Sequence, residues 1–257
     1  MSNKPLPRIL KPWPFWRKVW QKREEMNGWY MSIWMWGAMI LLIAIPYMVI
    51  NDMMNSIGIS RLDPVIALDD VIPFIGPSIL FYITLYLYYP AGALFAPKSD
   101  LGRRQMLVLH QVLFLMSWMI FVIFILCPTF IHVTEQVPQS YQDGDGFWAM
   151  FYADFLYQLD VPWNSWPSLH IVHSMIIVFA LQHWMTQNET SRFWKISLWI
   201  AWTGLAISIL TTKQHFVFDL VTGIAAGLAA WWLMLKPALA WCESKEAETH
   251  FEDVQEN

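Results

Sequence analysis

The octet Thr212-Lys213-Gln214-His215-Phe216-Val217-Phe218-Asp219 leads into the last long apolar stretch of the chain and carries a lysine, a histidine and an aspartate. Ionisable groups inside a membrane span cost roughly 2.5–3.5 kcal/mol each at mid-bilayer, so they mark sites. His215 and Asp219 are four apart and share one face of a helix. A neutral imidazole on His215 could attack phosphorus and carry the phosphoryl group. Asp219 could accept the other ring N–H, which fixes the tautomer and stabilises the charge that develops. Upstream, Pro167-Ser168-Leu169-His170 opens the fourth apolar stretch. His170 could protonate a leaving alkoxide and later deprotonate a water or alcohol. Ser168 falls in the first turn of its helix, where free N–H groups and the dipole favour an anion. Lys213 adds a full positive charge for the phosphoryl oxygens.

A metal site is the competing chemistry, because His173 follows His170 in an H-x-x-H spacing and His215 and Asp219 complete a donor set. Metal sites need three or four convergent donors, and a lysine so close repels a cation. His173 is therefore expected one turn deeper, packing behind His170, and no metal or cofactor is expected. His110, His183 and His250 have no company of the kind around His215 and read as structural. Cys127 and Cys242 are too few and too far apart for a disulfide framework or a zinc site.

These residues need a frame, and composition supplies it. Of 257 residues, 56% are apolar and only 14% charged, against about 25% charged in soluble domains. Seventeen Trp and sixteen Phe add the aromatic content that gathers at bilayer interfaces. Nearly uncharged runs at 29–50, 71–89, 106–127, 169–185, 196–212 and 216–235 match the length that crosses about 30 Å of hydrocarbon. The expected fold is all-α: a polytopic membrane bundle of six transmembrane helices. Residues 1–28 form a basic cytoplasmic segment without the features of a cleaved signal, 29–235 the membrane domain, and 236–257 a cytoplasmic polar tail whose Glu243–Asn257 part is expected to be disordered. The aromatic stretch Phe147–Leu159 is too short to span and is expected to lie in the interface.

Cations set the orientation. Lys4, Arg8, Lys11, Arg17, Lys18, Lys22, Arg23, Lys98, Arg103, Arg104, Arg192, Lys195, Lys236 and Lys245 fall on one side of the six-span scheme, and only Arg61 and Lys213 on the other. The positive-inside rule then puts both termini in the cytoplasm. His170 and His215 come to one level on the outer face.

The two motifs resemble those of the type-2 phosphatidic acid phosphatase superfamily, which includes lipid phosphate phosphatases and sphingolipid-synthase relatives. Pro167-Ser168-Leu169-His170 resembles the family's P-S-G-H, with leucine for glycine, as in inositol phosphorylceramide synthase-like members. Ser208 through Asp219 resembles S-R-x5-H-x3-D, with Ile209 in place of the arginine. No K-x6-R-P segment precedes the motifs, so the resemblance leaves Lys213, and secondarily Arg61, to meet the phosphate. The resemblance spans roughly residues 71–235 and implies His215 as nucleophile, His170 as acid/base and Asp219 as its partner. It implies a lipid phosphatase or phosphotransferase acting through a phosphohistidine on a lipid phosphate or phospholipid, without nucleic acid as partner. The expected location is a bacterial inner (plasma) membrane with the site on the periplasmic or external face. Two alternatives stand: a head-group (phosphodiester) transferase resembling inositol phosphorylceramide or sphingomyelin synthase, favoured by the few cations, and a non-catalytic membrane scaffold or binding relative.

Overall fold

The computed structural model describes residues 5–252. Lys4 and the last five residues of the tail lie outside them. The chain is all-helical, and among the described residues the one β feature is an isolated bridge between Phe130 and Trp163. In chain order the main helices are α1 (Tyr30–Ile57), α2 (Leu85–Leu94), α3 (Asp100–Leu126), α4 (Leu169–Gln187), α5 (Arg192–Thr211), α6 (Val217–Cys242) and α7 (Lys245–Glu252). Five of these, α1 and α3 through α6, are long and apolar enough to cross a membrane.

The expected second span is the exception. Val71 ends a short helix, and residues 72–75 carry Pro73. A 3₁₀ turn at Gly76–Ser78 contains Pro77, and a short helix, Ile79–Tyr82, precedes α2. Each proline lacks the N–H that an uninterrupted helix would need. Thr84 turns its hydroxyl back on the Phe81 carbonyl at 2.6 Å between the last two pieces. The run is apolar enough but broken, so 71–89 is not one helix.

α1 passes through a π turn at Ile40–Ala44 just before Pro46, where the missing proline N–H loosens the ladder. It closes on Gly58 at φ +67°, whose N–H returns to the Met54 carbonyl at 2.9 Å. Ser99 caps α3 by accepting from the Gly102 N–H at 3.2 Å. α4 is the central helix, buried at every position from Leu169 to Val178. The other long helices turn large apolar side chains outward, such as Trp34 and Leu41 on α1, Met119 and Val122 on α3, Phe193 and Ile200 on α5, and Val221 and Leu233 on α6. An outward apolar belt of that size is a lipid-facing surface.

At one end of the bundle, the N-terminal segment and the tail meet. Arg103 pairs with Glu24, Arg23 with Asp100 at 2.9 Å, and Lys11 with Glu246. The Trp20 and Phe251 rings are 4.3 Å apart. For the described part of the tail, 243–252, the expectation of disorder fails: α6 continues through Cys242, and α7 buries Ala247 and Phe251. Two apolar residues four apart are enough to dock a short amphipathic helix. At the opposite end, Arg61 N–H bonds to the Pro128 carbonyl at 2.8 Å, joining the ends of α1 and α3. The stretch Phe147–Leu159 folds back over this end, with Tyr152 buried and its hydroxyl donating to the Gly76 carbonyl at 3.0 Å.

Candidate active site

The N-termini of α4 and α6 lie side by side at the end away from the chain termini. Gly223 and Gly227 allow the approach: a Cβ on Gly223 would stand 3.1 Å from both the Ile171 Cβ and the Ser168 carbonyl oxygen, and one on Gly227 would meet Met175 Sδ at 2.8 Å. Such a small-xxx-small face lets two membrane helices pack backbone to backbone. The Ser168 N–H reaches the Asp219 carbonyl at 3.4 Å, and Trp166 stacks on Phe218 with centroids 6.0 Å apart.

α5 ends in a tight turn that delivers His215. The N–H groups of Gln214 and His215 both return to the Ile209 carbonyl, at 3.0 and 3.1 Å, while Lys213 takes the left-handed conformation at φ +60°. Asp219, three residues into the next helix, turns back and accepts from the Phe216 N–H at 3.0 Å. An acid at that position satisfies an otherwise unpaired donor and complements the helix dipole.

A line of polar contacts results. His215 Nδ1 is 3.4 Å from Asp219 Oδ2, and its Nε2 is 3.0 Å from His170 Nδ1 and 3.3 Å from Ser168 Oγ. His170 Nε2 is 3.2 Å from the Tyr82 hydroxyl and 4.0 Å from Asp160 Oδ2. Asp219 and Ser168 are fully buried; His170 and His215 are 9% and 5% exposed. With Nδ1–H directed to Asp219, His215 presents a lone pair at Nε2, next to a hydroxyl and a second imidazole. That is the arrangement of a nucleophile, its orienting carboxylate and an acid/base.

Not every residue singled out in the sequence joins this line. Lys213 is buried, but its ammonium donates to the carbonyls of Asp69 and Ile72, at 3.1 and 2.6 Å. Burial lowers its pKa from the ordinary lysine value. Arg61 is exposed, and its guanidinium donates to the Leu126 carbonyl at 3.2 Å, away from the ring pair. Ser208 is spent inside α5, its hydroxyl on the Leu205 carbonyl at 2.7 Å, and Ile209 supplies the carbonyl that holds the turn. His173 is buried one turn deeper and bonds to Ser117 Oγ at 2.8 Å. His110 is likewise occupied, with Nδ1 2.7 Å from the Met106 carbonyl.

Sequence reasoning missed Asp160, Tyr47, Asn51, Tyr82 and Asp69. Asp160 Oδ1 accepts from the Tyr47 hydroxyl at 2.8 Å and from Asn51 Nδ2 at 3.0 Å. Asn164 in turn holds Asn51 at 2.7 Å. Burial pushes the Asp160 carboxyl up to about 6, against the pull of the Tyr47 bond and the nearby His215. The signal in the sequence was an acid inside the otherwise uncharged stretch 155–163. Asp69 ties the start of α6 to the broken second run: its carboxylate accepts from the Val217 N–H at 2.7 Å and the Ile66 N–H at 2.8 Å.

Two openings meet at Asp160. A groove of about 400 Å³, lined by apolar and aromatic side chains including Trp36, Ile40, Tyr47 and Tyr86, runs between α1 and α2 and ends at His170 and Asp160. A cleft of about 410 Å³ on the other side carries Glu135, Gln142, Tyr157, Asp160 and Gln214. The apolar groove thus reaches His170, and the polar cleft reaches Asp160 behind it.

Residues 67–233 match the family model of the PAP2 superfamily. That segment begins at the helix carrying Asp69 and includes α4, α5, both histidines and Asp219. No curated protein and no solved structure matches the chain. A match over more than half of the chain, containing the paired histidines and their carboxylate, makes this protein a member of the PAP2 superfamily, the type-2 phosphatidic acid phosphatases.

Proposed function

We propose that the protein is an integral membrane phosphoesterase that cleaves or transfers a phosphate ester of a lipid through a phosphohistidine on His215. One observation carries this reading: His215 Nε2 is flanked by Ser168 Oγ and His170 Nδ1, while its Nδ1 faces a buried aspartate. In the first half, the Nε2 lone pair attacks phosphorus, the bond from phosphorus to the leaving oxygen breaks, and His170 gives that oxygen a proton. Asp219 stabilises the positive charge on the phosphorylated ring. In the second half, His170 takes a proton from a water or alcohol, whose oxygen displaces the histidine and restores it. The phosphoryl oxygens are held by the Ser168 hydroxyl and the free N–H groups of the first turn of α4. Lys213 contributes positive potential from the turn before His215, and Arg61 stays outside the site.

The few cations favour the second substrate class, a phosphodiester. A phosphate monoester carries close to two negative charges near neutral pH, as a phosphorylated side chain does, and a diester carries one. Head-group transfer between lipids then becomes the companion activity to hydrolysis. A scaffold has no use for two imidazoles and an aspartate kept dry together, which disfavours a non-catalytic role.

The chain also returns from the Arg61–Pro128 end to the Asp100 end through 79–94. We take this broken stretch as a sixth crossing, which puts both termini in the cytoplasm and the histidine pair on the external face of a plasma membrane. The deciding experiment incubates purified protein with labelled lipid phosphates and phospholipids and scores free phosphate against transferred head group. Absence of both products ends the enzymatic reading.

A further inference from the structure

We propose that Asp160 is a positioning residue for His170, the carboxylate on which the His170 ring seats when a phosphoryl group enters between the two imidazoles. The inference rests on the phosphoesterase reading above, and two distances carry it. The rings touch directly, with His170 Nδ1 3.0 Å from His215 Nε2. A phosphorus bonded to one nitrogen and a leaving oxygen bonded through hydrogen to the other cannot occupy that gap. The rings must separate. On the far side of the His170 ring, Asp160 Oδ2 stands 4.0 Å from Nε2, beyond hydrogen-bond length, and the Tyr82 hydroxyl at 3.2 Å is the contact that Nε2 exchanges to reach it. A small outward movement of the ring converts the one contact into the other.

Asp160 is built to receive it. Its Oδ1 is held from α1 by Tyr47 and Asn51, at 2.8 and 3.0 Å, which leaves Oδ2 directed at the histidine. The groups facing this carboxylate are Tyr47 from α1, Tyr82 from the short helix before α2, Tyr86 and Tyr89 on α2, His170 on α4 and His215 in the turn before α6. Glu135 stands across the polar cleft. The imidazoles are the basic groups among them, so a negative Asp160 stabilises a protonated His170.

The proton balance follows. In the loaded state His170 is the imidazolium, Nε2–H on Asp160 and Nδ1–H on the leaving oxygen. As the P–O bond breaks and the P–N bond to His215 forms, the Nδ1 proton passes to the departing alkoxide. His170 is then neutral, with Nε2–H still on Asp160 and the Nδ1 lone pair turned toward the incoming water. That lone pair accepts the water proton as oxygen attacks phosphorus and the P–N bond breaks. Asp160 thus fixes one tautomer for both halves, as Asp219 does for His215.

The test compares Asp160→Asn and Asp160→Glu with the parent protein on dodecyl phosphate and p-nitrophenyl phosphate. Loss of assisted proton transfer costs about 10²-fold or more, so Asp160→Asn should lose about that factor in kcat on dodecyl phosphate. On p-nitrophenyl phosphate, whose leaving group needs no proton, the loss should be a few-fold at most. Asp160→Glu should recover part of the alkyl-ester activity, and the acidic limb of its pH profile should move. Equal losses on both esters, or none, overturn the proposal.

A second readout does not need turnover. Orthovanadate added to protein labelled with ¹⁵N-histidine should shift the Nε2 resonance of His170 in the parent protein and not in Asp160→Asn. A parent protein that turns over neither these esters nor a labelled phospholipid yet shows this shift would end the phosphoesterase reading and leave the Asp160 contact standing. The same His170 response in both proteins, or none in either, removes the Asp160 contact whatever the turnover.

Discussion

His215 Nε2 lies 3.0 Å from His170 Nδ1, although the two residues are 45 positions apart in the chain. His170 projects from the first turn of α4 and His215 from the turn that leads into α6, so the relative placement of α4 and α6 decides whether the pair exists. The hydrogen bond joins what the sequence assigns to nucleophile and acid.

The roles separate by mutation. His215→Ala should abolish turnover and the acid-labile phosphoenzyme together, while His170→Ala should slow alkyl esters by about 10²–10⁴ and spare activated ones. Quench-flow with a ³²P-labelled substrate checks this. A labelled phosphohistidine surviving in His215→Ala would reassign the nucleophile.

Gly223 controls the pairing at a distance. Gly223→Leu places carbon against Ile171 and the Ser168 carbonyl, and such overpacking costs about 1–3 kcal/mol. The displaced helix should also cost about 10²-fold in kcat, the typical effect of a 1 Å misplacement. Gly37→Ala is the control, since nothing lies within 4 Å of a Cβ there, and it should be neutral or stabilising by about 0.5–1 kcal/mol. Thermal unfolding in detergent and initial rates give both numbers.

Lys213→Met should destabilise the protein by about 1.5–3 kcal/mol, because it strips a charged donor from two carbonyls. Turnover per folded molecule should fall by about tenfold or less, the effect of losing a nearby charge without losing a contact. Arg61→Met should behave as the parent. A fully folded Lys213→Met with a loss of about 10²–10³ would place the ammonium on the phosphate itself.

Reporter fusions check the orientation. Fusions after Leu94 and Asn188 should read as cytoplasmic and one after Gln142 as external. An external signal at Asn188 would put the Gln187 end of α4 outside and overturn the proposed face of the membrane.

The contact between the two histidines was legible because both halves of its signal are local. His215 and Asp219 fit one helical turn, and His170 sits beside the helix-starting Pro167-Ser168. Alternation of the expected spans predicted that they would meet at one level. The Gly223-x-x-x-Gly227 spacing that closes the gap was also present in the sequence. Asp160 was not legible as a partner, since nothing in a loop sequence tells which helix a carboxylate will face; Tyr47 and Asn51, more than a hundred residues upstream, determine that. The destination of Lys213 was hidden for a similar reason. Its partners are backbone carbonyls of the broken second run, and backbone acceptors leave no trace in residue types. Pro73 and Pro77 announced that break, but an apolar window is blind to the missing N–H groups.

Because α4 is enclosed by its neighbours over its first ten residues, it touches no lipid there and cannot answer a change in bilayer thickness by tilting on its own. Membrane mismatch is instead absorbed by the lipid-facing helices, at fractions of a kcal/mol per Å. The height of His170 above the membrane centre is thereby a property of the protein and not of its host bilayer. Under the function proposed above, a lipid that enters through the α1–α2 groove has to bring its phosphate to that fixed height, so the depth at which a lipid carries its phosphate becomes a selection criterion separate from head-group chemistry.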